Sequence, residues 1–152
     1  MSKTLSNRVR SIKPSPTLQV TARAAQLRAQ GHDIVGLGAG EPDFDTPAHI
    51  KAAAIAAIEK GFTKYTAVDG TPGLKKAVVD KFQRENGFTY QSRQVLVSCG
   101  GKQSFFNLAQ SLINPGDEVI IPAPYWVSYP DMVLLAEGKP VIVSAPHDQA
   151  FK

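Results

Sequence analysis

The amino-acid sequence predicts an α/β fold, in which an N-terminal segment of helices and loops precedes the first βαβαβ portion of a parallel sheet. From Val95 onward, apolar runs alternate with helical segments, which is the pattern of successive βαβ units. Before Gln94, helical segments end at glycines and are joined by loops containing Gly and Pro. We therefore expect a boundary between Gly87 and Gln94.

Helices are predicted in the N-terminal part from capping residues and glycine stops. They are expected at residues 17–30, at residues 47–60 with Thr46 as N-cap, and from Thr71-Pro72 to the stop at Gly87. Between the first two, the apolar run 34–37 is predicted to be the end of a strand. It leads into a loop at 38–44, where repeated Gly and a Pro disfavour regular structure.

The α/β part is expected to contain strands at 95–99, 118–121 and 141–144, with helices at 103–113 and 128–137 between them. Parallel sheets are usually wider than this and are covered on both faces. The sheet is therefore expected to be incomplete.

The composition is that of a globular chain, with 43% hydrophobic and 20% charged residues among 152. No apolar run approaches the roughly 20 residues that cross a bilayer, so no membrane partner is expected. The net charge is +4, without the concentrated basic stripe that nucleic-acid binding requires. Nucleic acid is therefore not an expected partner either.

A glycine pair with a following lysine, Gly100-Gly101-Lys102-Gln103, lies between a predicted strand and a predicted helix. Such a turn lets a phosphate approach the backbone N–H groups of the first helical turn. A P-loop is excluded, because it requires glycine where Leu96 stands and Ser or Thr where Gln103 stands. A tight turn without a ligand is the alternative interpretation.

The segment Pro124-Tyr125-Trp126 follows the next predicted strand and contains the single tryptophan of the chain. Ligands of open parallel sheets bind at the carboxyl ends of strands, so Trp126 is expected beside the glycine turn. There its indole could stack on a heteroaromatic ring. The alternative is a core aromatic that packs beneath a loop.

The single cysteine, Cys99, excludes an internal disulfide and fits a reducing compartment. It is interpreted as a small buried thiol at a strand end rather than as a nucleophile. The few cysteines and histidines show no ligand-like spacing, so no metal site is expected.

Several ordered motifs together resemble the N-terminal part of the class I aminotransferases, the pyridoxal-phosphate enzymes of fold type I, and especially the bacterial aspartate aminotransferase subgroup. The motifs are Lys13-Pro14-Ser15, the segment 40–47, Lys64-Tyr65, Gly100-Gly101-Lys102-Gln103, the segment 114–118 and the segment 124–130. The resemblance implies that residues 1–45 form an N-terminal arm and a portion of a small domain. Residues 46–152 would begin an incomplete pyridoxal-phosphate-binding large domain, with α/β units from about residue 94. The sheet order of the family further implies that the two later strands pair with each other and that the strand at 95–99 lacks its neighbours in this chain.

The resemblance also implies a set of cofactor contacts. Gly100, Gly101 and Lys102 would hold the phosphate of pyridoxal 5'-phosphate, and Trp126 would stack on its pyridine ring. Tyr65 would reach the cofactor phosphate of the neighbouring subunit, because the family's active sites are shared across a homodimer. A cytoplasmic location is expected.

Amino acids and 2-oxo acids are the substrates that the resemblance implies, with an aspartate-like amino acid expected first. Gly40 would lie against the substrate carboxylate, and Trp126 is expected to contribute to substrate binding as well as to cofactor binding. Lys13 matches a position that the subgroup associates with dicarboxylic and prephenate-like substrates.

No catalytic residue is expected within this chain, because none of its lysines matches the family's aldimine lysine. The chain is therefore interpreted as an N-terminal fragment of an aspartate-type transaminase that does not catalyse alone. Two alternatives are a non-catalytic module that binds a phosphate ligand and a remnant that pairs with full-length subunits.

Overall fold

The computed structural model describes residues 5–38 and 40–152. The helices of this part are α1 (Asn7–Ser11), α2 (Pro16–Ala29), α3 (Ala48–Glu59), α4 (Pro72–Asn86), α5 (Gly101–Leu112) and α6 (Ser128–Leu135), and its strands are β1 (Glu118–Ala123) and β2 (Lys139–Ser144). Short 3-10 turns lie at Ser92–Gln94 and His147–Gln149.

The chain divides into two compact units. The first unit comprises Met1–Glu41 and Ser104–Lys152, and the second comprises Pro42–Gln103. The division falls inside α5. The assignment of residues 1–45 and 46–152 to two family domains stays a prediction.

The core of the first unit is a β1–α6–β2 arrangement. The two strands pair in parallel, with Glu118 opposite Lys139 at one end and Ala123 opposite Ser144 at the other. Parallel neighbours need a crossover connection, and α6 supplies it. The buried hydrophobic residues are Ala109, Ile121, Met132, Val133, Ala136 and Ala145. The predicted pairing of the two later strands is thus confirmed.

Glycine is required where the chain turns from α6 into β2. A Cβ built at Gly138 would lie 2.6 Å from Cγ2 of Ile113 and 3.2 Å from the carbonyl oxygen of Asp117. Only a residue without a side chain lets the backbone pass this close to its neighbours.

The predicted strand at 95–99 is not formed, because this extended segment has no strand partner among the described residues. The N–H of Val97 donates instead to the carbonyl oxygen of Asp69, in a loop, at 3.1 Å. Backbone groups of an extended segment become a strand only when a second strand accepts and donates in register. The pairing of this segment in a complete sheet stays a prediction.

The predicted strand end at 34–37 is wrong as well. Its Ile34 carbonyl oxygen accepts hydrogen bonds from the guanidinium of Arg28, at 3.2 and 3.3 Å, rather than from a strand. Val35 and Leu37 are exposed.

The predicted boundaries of α4 are confirmed. The Thr71 hydroxyl accepts from the N–H of Leu74, Pro72 occupies the first turn, and Gly87 closes the helix with a left-handed φ of 71°. The N-cap predicted for α3 is wrong, because the helix begins at Ala48 and its N-cap Pro47 makes no side-chain bond. Thr46 therefore lies one residue too early to cap.

The short helix α1, which lies before Pro14 and Pro16, has no counterpart among the predicted elements. It spans only five residues and is complete before the first of these prolines. The Ser6 side chain caps it by accepting from the N–H of Val9. Across residues 5–38 and 40–152, no helix has the length and apolar character of a membrane span.

Candidate functional site

The glycine turn, residues 100–103, lies in the second unit and leads into α5. Gly100 has a φ of +83°, a conformation that favours glycine. Its N–H donates to the carbonyl oxygen of Ser98 at 2.8 Å, and its own carbonyl accepts from the N–H of Gln103 at 3.2 Å. The backbone geometry therefore explains one glycine of the pair.

Gly101 needs a different explanation, because its φ lies outside the left-handed region and a Cβ there would meet nothing within 4 Å. Neither strain nor crowding requires glycine, which is a poor helix former. Its effect is to leave open space in front of the first turn of α5. The N–H groups of a first helical turn lack carbonyl partners four residues earlier, so this space suits an anion.

A buried hydroxyl lies two residues before the glycine turn. In the described part of the chain, the Oγ of Ser98 is the buried side-chain polar atom that has no hydrogen-bond partner. A neighbouring bond, from the N–H of Cys99 to Oε1 of Gln103, ties the residue before the turn to α5. An unsatisfied buried oxygen beside an open helix start is consistent with a missing polar ligand.

Cys99 is exposed, so its interpretation as a buried thiol is wrong. The interpretation assumed that a sheet would cover residues 95–99, and no strand of the described residues pairs with that segment.

The carbonyl that anchors the extended segment 95–99 belongs to a loop with a nearly buried ion pair. The Lys75 ammonium on α4 contacts the carboxylate of Asp69, and the two side chains are 11% and 45% exposed. The hydrogen bond from Lys75, together with its charge, holds the pKa of Asp69 below its ordinary value. Sequence reasoning missed this pair, because a lysine on a polar helix gives no signal of burial.

Trp126 belongs to an aromatic cluster in the first unit, formed by Trp126, Tyr129 and Phe105. The indole is 43% exposed, which does not fit the alternative of a core aromatic. Its ring lies 5.5 Å from that of Tyr129 at 86°, and the Tyr129 ring lies 4.9 Å from that of Phe105. These edge and tilted contacts hold the indole in place. The supporting role of Phe105 was also missed.

The two predicted substrate residues lie in the first unit with Trp126. Lys13 is exposed in the connection between α1 and α2. Gly40 lines an open groove of about 800 Å³ between α2 and residues 34–38 and 40–41. Ala39, which precedes Gly40 in the family motif, lies outside the described residues.

Tyr65 lies with the glycine turn in the second unit and is fully exposed. The predicted site residues are thus distributed over both units. Gly100, Gly101, Lys102 and Tyr65 belong to the second, and Lys13, Gly40 and Trp126 to the first. Their assembly into one site stays a prediction.

Comparison with known proteins supports the resemblance. Residues 32–152 match the family model "Aminotransferase class I and II". The chain is 66% identical over 148 residues to the aspartate/prephenate aminotransferase of Nitrosomonas europaea, and 61% identical to that of Cereibacter sphaeroides. Each match covers 97% of this chain but 37% of the relative, within its N-terminal part.

Solved structures agree with the sequence matches. The aspartate aminotransferase of Rhizobium meliloti superposes with a TM-score of 0.94 and 50% identity, over 99% of this chain and 38% of that one. The Thermus thermophilus aspartate aminotransferase with maleate superposes with a TM-score of 0.93 and 50% sequence identity. This match covers 98% of this chain and 39% of that one. The predicted fold class, the N-terminal portion of a fold type I aminotransferase, is confirmed. The chain belongs to the class I and II aminotransferase family.

Proposed function

We propose that this chain supplies the phosphate-binding turn and the ring-stacking residue of a pyridoxal-phosphate-dependent aminotransferase. The reaction transfers an amino group between an aspartate-like amino acid and a 2-oxo acid. The relatives named aspartate/prephenate aminotransferase support the reaction class. The observation that carries the proposal is the open start of α5 at Gly101, where neither backbone strain nor crowding requires glycine, together with the unpartnered buried hydroxyl of Ser98.

The phosphate end of the cofactor is assigned to the glycine turn. A dianionic phosphate in front of α5 accepts from backbone N–H groups and is stabilised by the helix dipole. Gly100 gives the turn its left-handed backbone, Gly101 keeps the space open, and Lys102 adds a positive charge. The residues present therefore fit a phosphate group.

The ring is assigned to Trp126. Its partly exposed indole, held by Tyr129, covers one face of a heteroaromatic ring and excludes water from that face. When bound, pyridoxal phosphate supplies the electron sink for the chemistry at the substrate α-carbon. Gly40 and Lys13 are assigned to the substrate carboxylates.

Tyr65 is assigned to the cofactor phosphate of a second subunit in a cytoplasmic homodimer. Its complete exposure leaves the phenol available to another chain. The 152 residues by themselves are expected to show no transamination, because none of their lysines has the sequence context of the family's cofactor-bonding lysine.

A titration with pyridoxal phosphate tests the binding proposal, followed through the fluorescence of the single tryptophan, Trp126. We expect saturable quenching that is weaker with pyridoxal, which lacks the phosphate. Gly101→Ala should weaken binding of pyridoxal phosphate. Gly73→Ala is the matched control, since Gly73 also lies in a first helical turn with nothing within 4 Å of its Cβ position.

Equal quenching by both compounds, or equal affinity of the two glycine variants, would contradict the assignment of the phosphate. Borohydride reduction provides a further check. Fixation of the cofactor on one specific lysine of this chain would contradict the expectation that the chain lacks the bonding residue.

A chimera tests the reaction class. In it, this chain replaces the 148 matched residues of the Nitrosomonas europaea relative. We expect transamination from aspartate to a 2-oxo acid, reduced by Gly101→Ala and unchanged by Gly73→Ala. A soluble chimera that retains the cofactor but does not act on aspartate would overturn the proposed substrate class.

A further inference from the structure

Lys75 is the one buried charged residue in the part of the chain that the structure describes. Burial of an ammonium is unfavourable unless a counter-charge accepts its hydrogen bonds. The Asp69 carboxylate provides that partner across six residues, from the loop before α4. The pair therefore closes the loop between Asp69 and Lys75 against the helix.

The same loop makes close contact with Val97. The Asp69 carbonyl oxygen accepts from the Val97 N–H at 3.1 Å. A Cβ built at Gly70 would lie 2.5 Å from Cγ2 of Val97, and the φ of Gly70 is +107°. Both the backbone conformation and the available space require glycine here, so the loop is fitted closely to Val97.

Val97 lies three residues before Gly100, in an extended segment without a strand partner among the described residues. The Val97–Asp69 bond is therefore the long-range backbone bond that fixes this segment. Local bonds then carry the chain into the turn, from Gly100 to the Ser98 carbonyl and from Cys99 to Gln103.

We infer that Lys75 is a positioning residue for the phosphate turn, acting through Asp69 and Val97. This inference rests on the proposed function, because it assigns a purpose to the position of the turn. Lys75 does not contact the ligand. Its ion pair fixes the loop, the loop fixes Val97, and Val97 sets the position of Gly100 and Gly101 at the start of α5.

The chain offers a matched control on the same helix. Lys76 pairs with Asp80, and the two side chains are 72% and 52% exposed. Lys75→Met and Lys76→Met remove the same charge from adjacent residues. Only the first is expected to loosen residues 95–103.

Hydrogen exchange provides the test that does not depend on a ligand. In Lys75→Met, the peptide covering residues 95–103 should exchange about tenfold faster than in the wild type, because the loop that holds Val97 loses the ion pair between Lys75 and Asp69. In Lys76→Met its exchange should be unchanged. Equal exchange in the two variants would overturn the inference, whatever the ligand experiments show.

Ligand affinity provides the second test. In Lys75→Met the Kd for pyridoxal phosphate should rise about tenfold, while the Kd for pyridoxal should not change. Lys75→Arg, which can keep the ion pair, should restore phosphate-dependent affinity. An equal rise in the Kd values for pyridoxal phosphate and pyridoxal would indicate a general structural role of Lys75 and contradict the inference.

The two proposals fail separately. A wild-type chain without saturable binding of pyridoxal phosphate contradicts the proposed function, and the exchange measurement still decides the role of Lys75. If Lys75→Met does not fold, Asp69→Asn replaces it, because it removes the counter-charge of Lys75 but keeps the backbone carbonyl that accepts from Val97. Exchange of residues 95–103 at the wild-type rate in Asp69→Asn would then overturn the inference. If the chain alone does not stay soluble, the same variants are compared in the chimera.

Discussion

The β1–α6–β2 region and helix α3 are both rich in apolar residues, but only the first buries them. Ile121, Met132 and Val133 are buried between the strands and α6. The isoleucines of α3 are all exposed, with Ile58 at 65%. Burial is therefore decided by the presence of a packing partner, not by composition. A helix that is apolar around most of its circumference is typical of one covered in a larger structure.

The largest expected effect is in the packed region. Ile121→Ala should lower the free energy of unfolding by roughly 2 to 5 kcal/mol, because a buried isoleucine loses its contacts and leaves a cavity. Ile120 is the matched control, since it is adjacent on β1 but 69% exposed. Ile120→Ala should change stability by no more than about 0.5 kcal/mol. Urea denaturation of both variants measures the difference, and equal losses would contradict the described core.

Substitutions at the N-terminal ends of α4 and α3 should have an intermediate effect on the free energy of unfolding. Thr71→Ala removes the N-cap of α4 and should cost about 1 kcal/mol of unfolding free energy. Thr46→Ala should lower the free energy of unfolding by only a few tenths of a kcal/mol, because the N-cap of α3 is Pro47. Thermal or urea denaturation decides between them. A larger loss for Thr46→Ala would support the original sequence prediction over the structure.

These two threonines also show what the sequence could predict. The limits of α4 depend on local signals, namely a cap, a proline and a final glycine, which can be read from neighbouring residues. The N-cap of α3 depends on where the chain adopts its first helical turn, and Thr46 and Pro47 offered two starting points. The prediction of a strand at 95–99 was wrong for a different reason. A strand requires a pairing partner distant in the sequence, and an apolar run does not reveal whether that partner is present.

The same distinction applies to the site. Gly100 and Gly101 were identified from a local strand-to-helix pattern, and the structure places them at the start of α5. The contact of Phe105 with Tyr129 joins residues distant in the sequence, and the burial of Lys75 depends on how the loop at Asp69 folds against α4. The local patterns alone predicted a ligand with a phosphate and a heteroaromatic ring. The assignment of this ligand as pyridoxal phosphate depended on the motifs of the family.

Helix α3 should respond to substitution in its association rather than in its stability. Ile58→Lys should change the free energy of unfolding by less than about 0.5 kcal/mol, because the side chain is exposed. It should also reduce self-association, which the exposed apolar surface favours. Sedimentation velocity over a concentration series measures this. A wild-type chain that remains monomeric over this concentration series would contradict the expected self-association.

The smallest effect is expected at the edge of the packed region, where Glu118 and Lys139 face each other across the first register position of β1 and β2. The hydrogen bond from Lys139 to Glu118, at 2.6 Å, and the carboxylate charge raise the lysine pKa. The folded state therefore binds this proton more tightly than the unfolded state. The pair stabilises the fold below the ordinary lysine pKa of about 10.4, and this contribution is lost as the pH rises through the higher folded-state value.

The difference in unfolding free energy between the wild type and Lys139→Met should thus disappear at high alkaline pH. It should also shrink in concentrated salt, since both side chains are exposed. Urea denaturation across the alkaline range measures it. A deficit in Lys139→Met that is independent of pH and salt would mean that the lysine stem, rather than its charge, supports the start of β2. In that case the packed region would extend by apolar contact to its exposed edge.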